Sequence, residues 1–375
     1  MSTLHTNETS GQAVQVCAIT VAFNNPNELG RLLRSLQSQT SLNGLIVLDN
    51  SREEYVKENE AVFRTHAARY QFARFVHARK NIGSAGAFCQ GMKIAHEKGF
   101  DWIWLLDQDG TVENGCLASL LRNTGQADIL CPQIVDIDNP AIVLPQSGAI
   151  QNFWGRMVWI AFTVSRNISF FATHGALISK SVLDRIGYYD SRNFFVGSED
   201  SDFAFRSTTE HMVIRLVVEA KARHPDARQR SIEKRRGLID AGLIDNISAE
   251  RGGAGDHLRT RLLLRLQQST LRGSRLLPEH LGYVDRRLFG DKNCRKTQGF
   301  ASLSYAYLAT KRLTSVQFGA ACLYSLLIAL FRKLISDGRI SLKGTVSMYA
   351  ICLRSKLQKE WPFESVEQFC IRLAE

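Results

Sequence analysis

Apolar runs and polar breaks alternate with a regular beat along the first 110 residues. Val14 to Phe23 reads as a buried strand that ends at Asn24-Asn25. Pro26 and Asn27 open a helix to about Gln39, with Leu29, Leu32, Leu33 and Leu36 on one face. Leu45-Ile46-Val47-Leu48 is a second strand, closed by Asp49-Asn50-Ser51. A charged helix follows, then a short third strand from Phe72 to His77. Asn81 to Gly86 reads as a tight loop before a helix that runs to about Glu97. Trp102-Ile103-Trp104-Leu105-Leu106 is the fourth strand and ends at Asp107. Strands alternating with helices predict an α/β fold with helices on both faces of a mainly parallel sheet. Right-handed crossovers make it doubly wound.

The rhythm changes after residue 128. Short apolar runs at Ile129–Val135, Met157–Val164 and Phe170–Ile178 predict a mixed, partly antiparallel continuation of the sheet. A helix near Ser181–Ile186, an acidic loop at Ser198–Asp202 and a strand at Val213–Val218 follow. The chain thus divides into a polar leader (1–13), a catalytic domain (14–225) and a mainly helical, basic C-terminal region (226–375).

Charge sharpens that division. The net charge of +11 is unevenly placed: residues 1–220 carry 19 basic and 22 acidic groups, residues 221–375 carry 28 and 14. A tail this basic predicts an anionic partner, such as lipid headgroups. Thr314 to Phe331 holds no charged side chain and is flanked by Lys311-Arg312 and Arg332-Lys333. Diluted by Gln317, Gly319 and two serines, it suits an interfacial or packed helix better than a transmembrane one. The eight cysteines form no C-x-x-C pair, which excludes common zinc-ligand spacings and predicts free thiols in a reducing compartment. The polar leader has no apolar signal core, so a cytoplasmic location is expected.

The chemistry concentrates where predicted strands end. Asp107-Gln108-Asp109 places two carboxylates one residue apart at a strand exit, an arrangement that can grip one hard divalent cation. Ligands of parallel sheets collect at the carboxyl ends of strands, and Asn24, Asp49-Asn50 and Asn81–Gly86 share that edge. Asp49 can hydrogen-bond a base or ribose, and Gly83 and Gly86 open a helix whose N–H groups can meet phosphate. Gly197-Ser198-Glu199-Asp200-Ser201-Asp202 offers a general base, and equally the acidic first turn of a capped helix, with Ser198 as cap. Asp202 and Arg206 have the i, i+4 spacing of a structural ion pair. His224 is placed to complete a metal site, or to be merely solvated.

Taken in order, these pieces resemble the family 2 inverting glycosyltransferases of the GT-A fold, in particular bacterial rhamnosyl- and galactofuranosyltransferases. The matching segments are Ile19–Asn24, Val47–Ser51, Asn81–Gly86, Trp104–Asp109, His174–Ser179, Ile186–Asp190 and Glu199–Arg206. The resemblance implies a UDP- or dTDP-sugar donor bound by Ala22, Phe23, Asn24, Asp49, Asn50, Asn81, Gly83, Ser84, Asp107 and Gln108. It implies Mg²⁺ or Mn²⁺ on Asp107, Asp109 and His224, with Asp200 as catalytic base. Glu199, His174 and Gly175 would bind the acceptor, a glycan or lipid-linked glycan of a bacterial surface polysaccharide such as O-antigen. The enzyme would sit peripherally on the inner face of the cell membrane. One departure stands out: Gly110 follows the metal motif, where family members often have an acidic residue or serine.

Two other readings use the same residues. Leu105–Val112 looks like the nucleophile motif of haloacid-dehalogenase-type phosphatases, with Asp107 phosphorylated. That motif normally starts its domain, whereas three strand–helix units precede it here. The arginine cluster from Arg228 to Arg236 can pair phosphates, but it lacks interleaved aromatics, so nucleic acid is not the expected partner.

Overall fold

The structure is a computed structural model, and it describes residues 14–151, 157–225, 314–319 and 356. The elements in chain order are β1 (Val16–Ala22), α1 (Pro26–Ser35), β2 (Gly44–Asp49), α2 (Glu53–Ala67), β3 (Phe72–His77), α3 (Gly83–Glu97) and β4 (Trp102–Asp107). Then come β5 (Thr111–Val112), α4 (Cys116–Leu121), β6 (Ile129–Asp136), β7 (Ala149–Gln151), β8 (Met157–Trp159) and β9 (Arg166–Ile168). The last are β10 (Leu177–Ser179), α5 (Lys180–Ile186), α6 (Glu199–Thr209) and β11 (Ile214–His224).

The main sheet has the order β3-β2-β1-β4-β10-β6-β11-β5, and β9 also pairs with β11. The first four strands are mutually parallel. β10 runs antiparallel to both β4 and β6, and β11 returns parallel to β6. The expected mainly parallel, mixed sheet is therefore present, with β10 inserted where the strand direction reverses.

Both faces are covered, which explains why β2 and β6 are buried at every residue. Leu29, Leu32, Leu33 and Leu36 are all fully buried against one face, with Leu45 and Val47. Each contributes roughly 1.5–3 kcal/mol by leaving water. On the other face α3 lies close to the sheet because Gly91 has no side chain. A Cβ there would come within 2.6 Å of Ile19 and 2.9 Å of Leu48. The start of α1 follows its sequence: Asn25 accepts from the Glu28 N–H at 3.2 Å, and Pro26 occupies the first turn.

Several expectations need correction. Helix α3 begins at Gly83, so Gly86 belongs to the helix and not to a loop. Ser198–Asp202 is not a loop either, because Glu199 starts α6. The apolar run from Phe170 forms a strand only at Leu177–Ser179, because Gly175 turns the chain at φ +84°. β11 extends six residues past Val218, across an irregularity in its pairing with β6 between Val217 and Lys221. The short β5, β7 and β9 carry no periodicity long enough to read. Cys17, Cys89, Cys116 and Cys131 are buried free thiols, and burial pushes those of Cys17, Cys116 and Cys131 upward. No helix among the described residues is long and apolar enough to cross a membrane. The leader, the arginine cluster and most of Thr314–Phe331 and of the basic tail lie outside the described residues.

Candidate active site

Register brings the strand ends together. Ala22 pairs with Asp49 and Val21 with Asp107, so the residues following β1, β2 and β4 share one edge. After Asp107 the chain turns tightly, with the Gly110 N–H donating to the Asp107 carbonyl at 3.1 Å. β5 then pairs antiparallel with the end of β11, matching Thr111 to Arg223. That pairing delivers His224, the last residue of β11, to the two carboxylates. His224 Nε2 lies 3.2 Å from Asp109 Oδ1 and 3.7 Å from Asp107 Oδ2. One ligand atom from each residue fits within 4.8 Å of the others.

The donor set suits a divalent cation. His224 Nδ1 faces the Pro225 carbonyl at 2.9 Å, which leaves Nε2 directed at the carboxylates. A backbone carbonyl on the far ring nitrogen is the usual support of a metal-binding histidine. Two carboxylates and one imidazole match Mg²⁺ or Mn²⁺ in ligand type. Electrostatics point the same way. Burial, with Asp109 and Asp200 nearby, pushes the Asp107 carboxyl up to about 7 despite the opposing pull of His224. Burial lowers the His224 imidazole, but the hydrogen bond and charge of Asp109, with Asp107, raise it overall. Such crowding of negative charge is relieved by a cation.

The second acidic group stands in the first turn of α6. Ser198, at φ +74°, precedes the helix, but its side chain makes no cap hydrogen bond, and its buried Oγ has no hydrogen-bond partner among the described residues. The expected Ser198 cap is thus absent. Glu199 is 5% exposed: Oε1 accepts from Ser84 Oγ at 2.5 Å, and Oε2 has no hydrogen-bond partner among the described residues. Burial and the neighbouring Asp200 charge push Glu199 up to about 8, against the pull of the Ser84 hydrogen bond. Asp200 is half-buried, and its Oδ1 accepts from the Ser201 N–H at 2.6 Å. Asp202 pairs with Arg206 at 2.8 Å, and Arg206 also donates to the Ile186 and Tyr188 carbonyls, a structural tie.

Tyr189, within the Ile186–Asp190 segment, adds a phenol to this region. It is buried, with its hydroxyl 3.2 Å from Thr173 Oγ1. Burial and the Asp200 charge raise its phenol well above the ordinary range. It is a neutral group beside the acidic cluster.

The nucleotide-side residues share the edge but largely hold one another. Asp49 is wholly buried: Oδ1 accepts from Ser51 N–H and Asn59, and Oδ2 meets His77 at 3.2 Å. A direct bond from Asp49 to a nucleoside is therefore not what this geometry offers; the carboxylate braces the loop after β2. Asn50 donates to the Gly83 carbonyl at 2.9 Å, and Asn81 accepts from the Gly83 N–H at 2.8 Å. The Ala85 N–H donates to the Phe195 carbonyl, so two of the first N–H groups of α3, those of Gly83 and Ala85, already have protein partners. Ser84 is committed to Glu199. Gln108 bonds the Phe23 N–H and the Phe23 and Asn25 carbonyls, which locks the carboxylate turn to the end of β1. Asn24, at φ +52°, accepts from the Arg52 N–H at 2.9 Å. Phe23, following the buried Ala22, is 49% exposed on this edge.

His174 and Gly175 do not line an open acceptor surface. His174 is 2% exposed and packs behind the carboxylate turn. The Gly175 N–H donates to the Leu105 carbonyl, and its own carbonyl accepts from the Trp104 indole.

Comparison with known proteins places these features. Residues 17–187 match the family described as Glycosyl transferase family 2. Galactofuranosyltransferase GlfT1 of Mycobacterium tuberculosis (strain ATCC 25618 / H37Rv) is 32% identical over 195 residues, covering 49% of this chain and 62% of that protein. Its namesake in Mycolicibacterium smegmatis (strain ATCC 700084 / mc(2)155) is 29% identical over 199 residues, with the same coverage of 49% and 62%. The chain thus spans about three fifths (62%) of the length of the curated relatives it matches. A crystal structure of GalNAc-T7 with UDP, GalNAc and Mn²⁺ aligns with a TM-score of 0.47 at 15% identity, over 58% of this chain and 44% of that one.

Proposed function

We propose that residues 17–187, which match the family described as Glycosyl transferase family 2, form a glycosyltransferase domain, and that this chain transfers a sugar from a nucleoside-diphosphate donor to an acceptor hydroxyl. The observation that carries the reading is the cluster of Asp107, Asp109 and His224 at the carboxyl edge of the sheet, with Asp200 close enough to perturb Asp107. Galactofuranose is favoured over rhamnose as the transferred sugar, because the curated relatives are galactofuranosyltransferases.

Asp107, Asp109 and His224 would hold Mg²⁺ or Mn²⁺, which supplies positive charge against the donor's diphosphate. Asp200 accepts the acceptor's hydroxyl proton as that oxygen attacks the anomeric carbon. The carbon–oxygen bond to the diphosphate breaks as the new glycosidic bond forms, and the single displacement inverts the anomeric centre. Glu199, its carboxyl pushed up to about 8, offers Oε2, which has no hydrogen-bond partner among the described residues, to orient the acceptor. The basic region beyond residue 220 would hold the chain at an anionic membrane surface, where a lipid-linked glycan is presented.

Calorimetry with UDP and with dTDP, in Mn²⁺ and then in EDTA, tests this reading. Metal-dependent binding of one nucleotide is the expected result, and that nucleotide's galactofuranose or rhamnose donor is then assayed for transfer. Absence of binding in Mn²⁺ would sink the proposal.

A further inference from the structure

We propose that His174 is a positioning residue that clamps the metal-binding turn from beneath, and that Gly110 is the position its ring requires. The inference rests on the reading of Asp107, Asp109 and His224 as metal ligands. The Asp107 N–H points at His174 Nδ1 at 3.0 Å, and His174 Nε2 lies 3.2 Å from the Thr111 carbonyl. A ring nitrogen that faces an N–H must carry its lone pair, and one that faces a carbonyl must carry the proton. The imidazole is therefore neutral, with hydrogen on Nε2. It joins residue 107 to residue 111, the two ends of the turn that carries Asp109.

The ring occupies the space a side chain at position 110 would need. A Cβ on Gly110 would lie 2.2 Å from His174 Cε1 and 2.4 Å from Nε2. Such a side chain and a clamping histidine exclude each other. The clamp is itself held: Gly175 turns at φ +84°, and a Cβ there would strike Pro132 at 2.4 Å. The His174 ring also packs 5.4 Å from the His224 ring, so it touches both ligand-bearing segments, the 107–111 turn and the end of β11. Support of this kind commonly sets metal affinity by about 10–100-fold.

The test is Mn²⁺ affinity of the full-length chain by calorimetry, with thermal unfolding in EDTA as the control on folding. Gly110→Ala, which displaces the ring, and His174→Ala should each weaken Mn²⁺ binding about tenfold or more. His174→Asn keeps an acceptor for the Asp107 N–H and should recover part of that loss. A role in packing alone would lower the unfolding temperature without ranking Mn²⁺ affinity in this order. Wild-type affinity in folded Gly110→Ala and His174→Asn would overturn the clamp while leaving the metal site standing. No Mn²⁺ binding by the wild type would instead bring down the metal reading and the clamp with it. Nitrogen NMR of the wild type should show the His174 proton on Nε2. A proton on Nδ1 would overturn the proposal whether or not the variants fold.

Discussion

Ser84 Oγ donates to Glu199 Oε1 at 2.5 Å, across a separation of 115 residues. This bond ties the first turn of α3 to the first turn of α6, and so the proposed donor side of the site to the proposed base. Beside it the Ala85 N–H bonds the Phe195 carbonyl, making the junction a two-point latch.

The latch sets a pH dependence of stability. Glu199 is raised from 4.5 to about 8 in the fold, by burial and the Asp200 charge. Between those values the native state binds more protons than the unfolded chain, so stability falls as pH rises through the window. Asp107, raised to about 7, contributes in the same direction. Glu199→Gln should therefore flatten, without abolishing, the decline of the unfolding temperature from pH 5 to about 8 in EDTA. Ser84→Ala, which removes a bond that lowers Glu199, should extend the decline to higher pH. An unchanged profile in both variants would place Glu199 outside the titrating set.

Asp200→Asn should lower the transfer rate by about 10²–10⁴-fold, the usual weight of a general base. Metal-dependent nucleotide binding should stay close to wild type, because Asp200 is not among the three grouped ligands. Steady-state transfer paired with calorimetry checks both halves, and full activity would remove Asp200 as base.

Asp109→Ala should reduce Mn²⁺-dependent nucleotide affinity by more than about 100-fold, since losing a ligand costs more than disturbing its support. In EDTA the same variant relieves the repulsion on Asp107 but loses the Asp109 bond to His224, so its stability should change far less than its metal-dependent affinity. Equal nucleotide affinity with and without Mn²⁺ in both wild type and variant would contradict the assignment.

Gly83→Ala should destabilise the fold by about 1–3 kcal/mol or more. Gly83 sits at φ +73°, and a Cβ would fall 2.0 Å from the Phe195 carbonyl oxygen, which is rigid backbone. Chemical denaturation measures the loss; a neutral substitution would mean that the 194–196 segment yields easily.

Local pattern by itself determined the first half of this fold. The periodicity of Leu29, Leu32, Leu33 and Leu36, the Asn25-Pro26 start of α1, and the apolar runs ending at Asp49 and Asp107 depend on near neighbours alone. Order and spacing of the motifs likewise marked Asp107, Asp109, Asp200 and His224 as candidates. Only the tertiary structure decided what those groups touch. His224 reaches Asp109 because β5, two residues long, pairs with the end of β11, a contact no local window contains. Asp49 turned inward because Asn59 and His77, from the next helix and strand, saturate its oxygens. His174 moved from an expected acceptor wall to the underside of the metal turn, since Gly175 reverses the chain there. A sequence displays which chemistry is available, through side-chain type and local period. Burial, long-range pairing and the partners that consume each polar atom arise only when distant segments close around one another.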